Sequence, residues 1–250
     1  MFLLASCLWG YAQATGDAVF NNYFNETFHI SNLKRSVLEV PREIPGLMVV
    51  FVSALLSFLC SRRLAALSML MGAAGMFLLA VASPSFNIML VWLFLLSMGQ
   101  HLILPLSSSI GMELARDGQT GKRLGQLSGA KNLAAIIGSF TIFIGFHYLH
   151  FKFSTAFIVA SIGYSGAALF LFKMKPVPKQ PGLSQLKLYK PYSLFYLLSI
   201  LYGARKQIFL TFAPWILVTI YKQPTAMVAT LLTMGGGNRN SFSAITGESY

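Results

Sequence analysis

Residues 64–83 read LAALSMLMGAAGMFLLAVAS, twenty consecutive positions without a charge. At about 1.5 Å per residue, a helix of that length spans about 30 Å, the thickness of a bilayer's hydrocarbon core. Inside lipid each backbone N–H and C=O must be satisfied within the segment, so a lone apolar run of this kind can only be a helix. The stretch therefore predicts a membrane span and sets the measure for the rest of the chain.

Six further stretches meet the same measure. The first span covers about 2–24 and is unusually polar. The second covers about 44–60, the fourth about 87–112 (interrupted by Gln100, His101 and Pro105), the fifth about 126–149, the sixth about 153–172 and the seventh about 191–220. An eighth starts near Thr225 but holds some ten apolar residues before Gly235-Gly236-Gly237. The expected fold class is thus an all-α, multi-pass membrane protein. Composition agrees: 55% of the 250 residues are apolar and 10% are charged, against roughly 25% charged in soluble domains. Mean hydropathy is +0.64.

The net charge of +12 would raise nucleic acid as a partner in a soluble protein. Here the cations sit in short gaps between apolar runs, so the partner they imply is the bilayer and the signal is topological. One set of alternate gaps holds Arg62, Arg63, Arg116, Lys122, Arg123, Lys173, Lys175, Lys179, Lys187 and Lys190, ten cations against Glu113 and Asp117. The opposite set holds Lys34, Arg35, Arg42, Lys152 and Lys222 with Glu26, Glu39 and Glu43. Lys and Arg excess marks the cytoplasm, which places the N-terminus inside and the protein in the cell membrane. The sequon Asn25-Glu26-Thr27 then faces outward. The apolar N-terminus lacks a basic lead and a small-residue cleavage site, so it reads as a span and not as a signal peptide. Cys7 and Cys60 each sit in an apolar run without metal spacing and read as packing residues.

Gaps of about four residues make the third and fourth spans, and the fifth and sixth, antiparallel neighbours. The stretch 173–190, with Pro176, Pro178, Pro181 and Gly182, reads as a basic cytoplasmic linker after a six-helix unit of residues 1–172. A repeat supports that division. Ser6-Cys7-Leu8-Trp9-Gly10 in the first span and Ser199-Ile200-Leu201-Tyr202-Gly203 in the seventh share the pattern S-x-L-aromatic-G. Transporters built from tandem halves show such correspondence between their first helices.

Six helices, a basic linker and a repeated first helix resemble the major facilitator superfamily of secondary transporters. The resemblance covers roughly residues 1–235. The family's Gly-x-x-x-Asp-Arg-x-Gly-Arg-Arg loop between helices 2 and 3 is reduced here to Cys60-Ser61-Arg62-Arg63-Leu64, which keeps the basic pair and lacks the Asp and both Gly. Gly121-Lys122-Arg123-Leu124-Gly125 looks like the family's basic lead into helix 5, and Gly125 with Gly129 forms a G-x-x-x-G spacing suited to close helix contact. The resemblance implies a six-helix N-terminal bundle of major-facilitator type, followed by one complete and one partial helix of a second bundle (residues 191–235). The polar tail 236–250 is expected to be disordered. Complete members have twelve helices, so the chain is expected to be a truncated copy.

An ionisable group in the hydrocarbon costs about 2.5–3.5 kcal/mol on insertion scales, so such groups are candidates for function. Gln13, Asp17 and Asn21 recur at i, i+4 and i+8, one polar helical stripe. Asp17 lies roughly 24 Å from Met1, and Arg205 roughly 21 Å from Pro191, at similar depth. Gln100 and His101 lie mid-span in the fourth helix. In the resembled family, helices 1, 4 and 7 line the substrate cavity. The resemblance thus implies that Asp17, His101 and Arg205, with Gln13, Asn21 and Gln100, bind a small solute or a coupling proton, Arg205 holding an anionic group. The competing reading is a static Asp17–Arg205 ion pair, with His101 bonded to a backbone carbonyl. Lys131 is expected to snorkel to the surface. Glu113, Arg116 and Asp117 are expected to be cytoplasmic or to form an ion-pair gate.

H-E-x-x-H, G-x-S-x-G and an acidic metal cluster are absent from the sequence, and His29, His101, His147 and His150 are scattered, so no enzyme, metal or cofactor is expected. No G-x-x-x-x-G-K-S/T occurs. The expected function is solute movement by alternating access. The alternative is a membrane fragment or partner protein without transport activity.

Overall fold

The computed structural model describes residues 1–56 and 58–176, and after them 193–194, 197–198, 201, 212, 214–225, 227 and 230–231. Among the described residues, six long helices make the bundle: α1 (Phe2–Phe28), α2 (Asn32–Leu55), α3 (Ser61–Val81), α4 (Phe86–Glu113), α5 (Thr120–Tyr148) and α6 (Phe153–Lys173). By length and composition, α3, α4, α5 and α6 are long and apolar enough to cross a membrane. The protein is an all-α membrane protein, as its hydropathy requires.

The helix ends follow local chemistry. Ser31 caps α2 by accepting from the Lys34 N–H at 3.3 Å, and Ser85 caps α4 by accepting from Ile88 N–H at 3.4 Å. His29 closes α1 in the left-handed region at φ 46°. Between α4 and α5 the chain turns at Gly118, where φ is 72°, a conformation that costs glycine little.

α1 packs on α5 and α6, α3 packs on α4 and α6, and α2 packs on α4. Small residues set the closest approaches. A Cβ added to Gly75 of α3 would lie 2.8 Å from the Cα of Leu96 in α4, and one added to Gly10 of α1 would strike the Lys131 backbone of α5. Between these contacts run Met69, Met76, Leu93, Leu96, Phe157 and Tyr164, all fully buried. Apolar side chains such as Phe77, Leu133, Ile162 and Phe172 point outward, where lipid is the solvent.

Several expectations need correction. The second helix begins at Asn32 and not near 44, so Lys34, Arg35, Glu39, Arg42 and Glu43 are helical and belong to no loop. Pro41 and Pro45 are accommodated within that helix. Arg62, Arg63, Lys122 and Arg123, expected in loops, occupy the first turns of α3 and α5. The Gly125 and Gly129 spacing makes no close contact, because a Cβ at either would meet nothing within 4 Å. The sequon residues Asn25 and Thr27 lie inside α1. The linker beyond residue 176, the Ser199–Gly203 repeat, Arg205 and the tail lie outside the described residues. Residues 214–219 are helical, and Trp215 there is buried.

Candidate functional site

α1 and α2 have few close backbone approaches. Long arginine side chains join them instead. The Arg42 guanidinium lies 3.8 Å from Asp17 Oδ1 through Nη2 and 3.7 Å from Glu39 Oε1 through Nη1. Asp17 keeps 36% of its side-chain surface accessible and Arg42 24%. Two opposite charges midway along a helix bundle therefore meet loosely and in an accessible gap.

The neighbours of that pair are polar. Gln13 lies against the Asp17 carboxylate one turn earlier, and Lys131 of α5 faces the same carboxylate as a second cation. The Gln13 Oε1 atom is buried and has no hydrogen-bond partner among the described residues. Lys131 does not reach for the surface as expected. Its Nζ stands 3.3 Å from the Trp9 ring centroid, a cation–π contact turned into the bundle.

His101 and Gln100 arrive from α4. His101 Nε2 is 3.7 Å from Glu43 Oε2, and its Nδ1 is 2.9 Å from the Ser97 carbonyl and 3.1 Å from Ser97 Oγ. Ser97 Oγ in turn donates to the Arg42 carbonyl. The ring fits against α2 because residue 46 is glycine, where a Cβ would come 2.9 Å from His101 Cδ2. Gln100 Nε2 donates to Tyr164 Oη at 3.0 Å, which ties α4 to the buried tyrosine of α6.

A tighter ionic cluster sits toward the other end of the Asp17 stripe. Arg35, 1% exposed, pairs with Glu39 and donates through Nη2 to Asn21 Oδ1 at 3.4 Å. Its guanidinium lies 5.9 Å from the Phe24 ring centroid and 5.5 Å from that of Trp215. Asn22 donates to the Gln223 carbonyl at 3.2 Å. These contacts fasten α1 and α2 to the segment 214–225. At the opposite end of the bundle, Arg62 pairs with Glu113 and donates to the Lys175 carbonyl at 2.6 Å, joining α3, α4 and the end of α6.

The structure thus brings Gln13, Asp17, Asn21, Gln100 and His101 to one side of the bundle. Arg205 lies outside the described residues. Arg35, Glu39, Arg42 and Glu43, expected in a loop, supply most of the site's ions. A sequence signal for them exists: Arg35, Leu38, Glu39, Arg42, Glu43 and Gly46 recur at i, i+3, i+4, i+7, i+8 and i+11, one helical face beginning after the cap Ser31.

The described helices pack as a six-helix membrane bundle. No family model and no curated protein matches the chain. Among solved structures, the crystal structure of a D-xylose-proton symporter matches with a TM-score of 0.60 and 14% identity, over 98% of this chain and 66% of that one. The chain therefore spans 66% of that protein's length, and the likeness is one of fold.

Proposed function

We propose that the protein is a secondary transporter that moves a small, neutral, polar solute by alternating access, coupled to a proton carried at Asp17. The Asp17–Arg42 pair carries the reading. A pair this long and accessible contributes only about 0–1 kcal/mol to stability. Little is therefore lost when a proton neutralises Asp17, which favours a role in the transport cycle over a static one. A proton on Asp17 would release Arg42 to Glu39, already 3.7 Å away. Such a two-partner arginine allows α2 to change its grip on α1 without leaving an unpaired charge.

Gln13, Asn21 and Gln100 offer amide donors and acceptors suited to hydroxyl groups. The D-xylose-proton symporter likeness is consistent with a solute of that type and with a proton as the driving ion. The protein acts as a transporter and not as an enzyme. It lies in the cell membrane with its N-terminus and the basic linker 173–190 on the cytoplasmic side, the linker dividing the six-helix unit from the residues that follow.

The test is reconstitution of the 250-residue chain in proteoliposomes with an imposed pH gradient. D-xylose serves as the first probe, and solute uptake and internal pH are followed together. Gradient-driven uptake that disappears in Asp17→Asn supports the proposal. Uptake that persists in that variant sinks the role of Asp17. A wild-type chain that binds and moves no solute favours a non-transporting membrane protein.

A further inference from the structure

A second polar feature lies at the end of the bundle where α4 gives way to α5. A cavity of about 280 Å³ is lined by Arg116, Gln119, Lys122, Arg123 and Gln126, together with Leu114 and Ala115. Three of its walls are cationic. The Arg123 Nε atom is buried and has no hydrogen-bond partner among the described residues. Asp117 is the nearest acid in sequence and pairs with none of these cations among the described residues, and Glu113 is committed to Arg62. The first turn of α5 also lacks a side-chain cap, which leaves its leading N–H groups to other acceptors. The last carbonyls of α4 end nearby, and three full positive charges outweigh their partial negative charge.

The position of the cavity identifies the level at which a ligand would meet it. α5 has 29 residues, about 43 Å of helix against a hydrocarbon core of about 30 Å. Its first turn therefore rises out of the apolar layer into the headgroup region. A desolvated guanidinium N–H, two more cations and neutral amides at that level match a phosphate oxyanion, which accepts several charge-assisted hydrogen bonds at once.

We propose that the cavity formed by Arg116, Lys122 and Arg123 is a phosphate-binding site at the membrane surface, separate from the solute path. The phosphate can be carried by an anionic lipid headgroup or by a soluble ion, and one experiment distinguishes the two. The purified chain in neutral detergent is titrated with short-chain phosphatidic acid, with the matched phosphatidylcholine, and with inorganic phosphate, reading the shift in thermal unfolding. Phosphatidic acid is expected to stabilise the chain and phosphatidylcholine not to. Lys122→Gln and Arg123→Gln are each expected to weaken phosphatidic acid by about fivefold, the equivalent of about 1 kcal/mol per cation, while Lys152→Gln at the opposite end changes nothing. Stabilisation by inorganic phosphate with the same dependence on Lys122 and Arg123 supports the site and assigns it to a soluble ion. Equal response to both lipids, or a phosphatidic acid response that survives both substitutions, overturns it. Should Arg123→Gln fail to fold, the exposed pair Arg116→Gln and Lys122→Gln carries the same test.

Discussion

The Arg42 Nη2 atom lies 3.8 Å from the Asp17 carboxylate, across a gap that the backbones of α1 and α2 do not close. That relationship separates a labile ionic contact from the fixed one at Arg35, and the two should respond differently to substitution.

Asp17→Asn should leave the fold nearly untouched, shifting stability by no more than about 1 kcal/mol, while abolishing proton-driven uptake. Thermal unfolding in detergent and uptake in proteoliposomes measure the two effects separately. A large loss of stability would show that the pair is a structural lock.

Arg35→Gln should be far more damaging. It strips a fully buried guanidinium from Glu39, Asn21 and the faces of Phe24 and Trp215. Breaking a buried ion pair costs about 3–5 kcal/mol, and the lower end is expected because Arg42 still faces Glu39. Arg35→Lys should recover part of this through charge alone, since an ammonium lacks the planar fork. Chemical unfolding of the three proteins gives the ranking.

Gly75→Leu should force α3 and α4 apart, because the added side chain meets the Leu96 backbone at 2.8 Å. A cost of about 1–3 kcal/mol or more is expected. Gly125→Ala should do the reverse. Its site is open, and replacing glycine inside a helix contributes about 1 kcal/mol. Opposite shifts in unfolding temperature for the two glycines would confirm which of them serve helix contact.

Arg62→Gln should loosen the end of α6 without disturbing the Asp17 site. It removes the partner of Glu113 and weakens the bond to the Lys175 carbonyl. Faster amide exchange confined to the last turn of α6 and the first of α3 is the expected signature. Exchange that spreads to α1 would show that the two ends are coupled.

Hydropathy located most of the helices well. The expected spans 64–83, 87–112, 126–149 and 153–172 lie close to α3, α4, α5 and α6, because helices facing lipid carry their apolar character in the sequence itself. It failed on α2. There Arg35, Glu39, Arg42 and Glu43 lower the local hydropathy, and two prolines reinforce the impression of a loop. These charges are tolerated because Asn21, Asp17 and His101 on other helices answer them, and such pairing is invisible along one strand of sequence. Lys131 departs from its expected place at the surface for the same reason: Trp9, the ring it stands over, is far away in the chain.

The sequence alone determined that this chain folds in lipid as long helices, since no other arrangement satisfies the backbone of so many apolar runs. It also marked Gln13, Asp17, Gln100 and His101 as costly polar groups that call for partners. Which partners they take was decided by tertiary structure. Arg42 meets Asp17 across the gap between α1 and α2, and Glu43 meets His101 where α2 packs on α4, with Gly46 leaving room for the imidazole. Ionic pairing depends on distances of a few ångströms between separate helices, and packing fixes those distances.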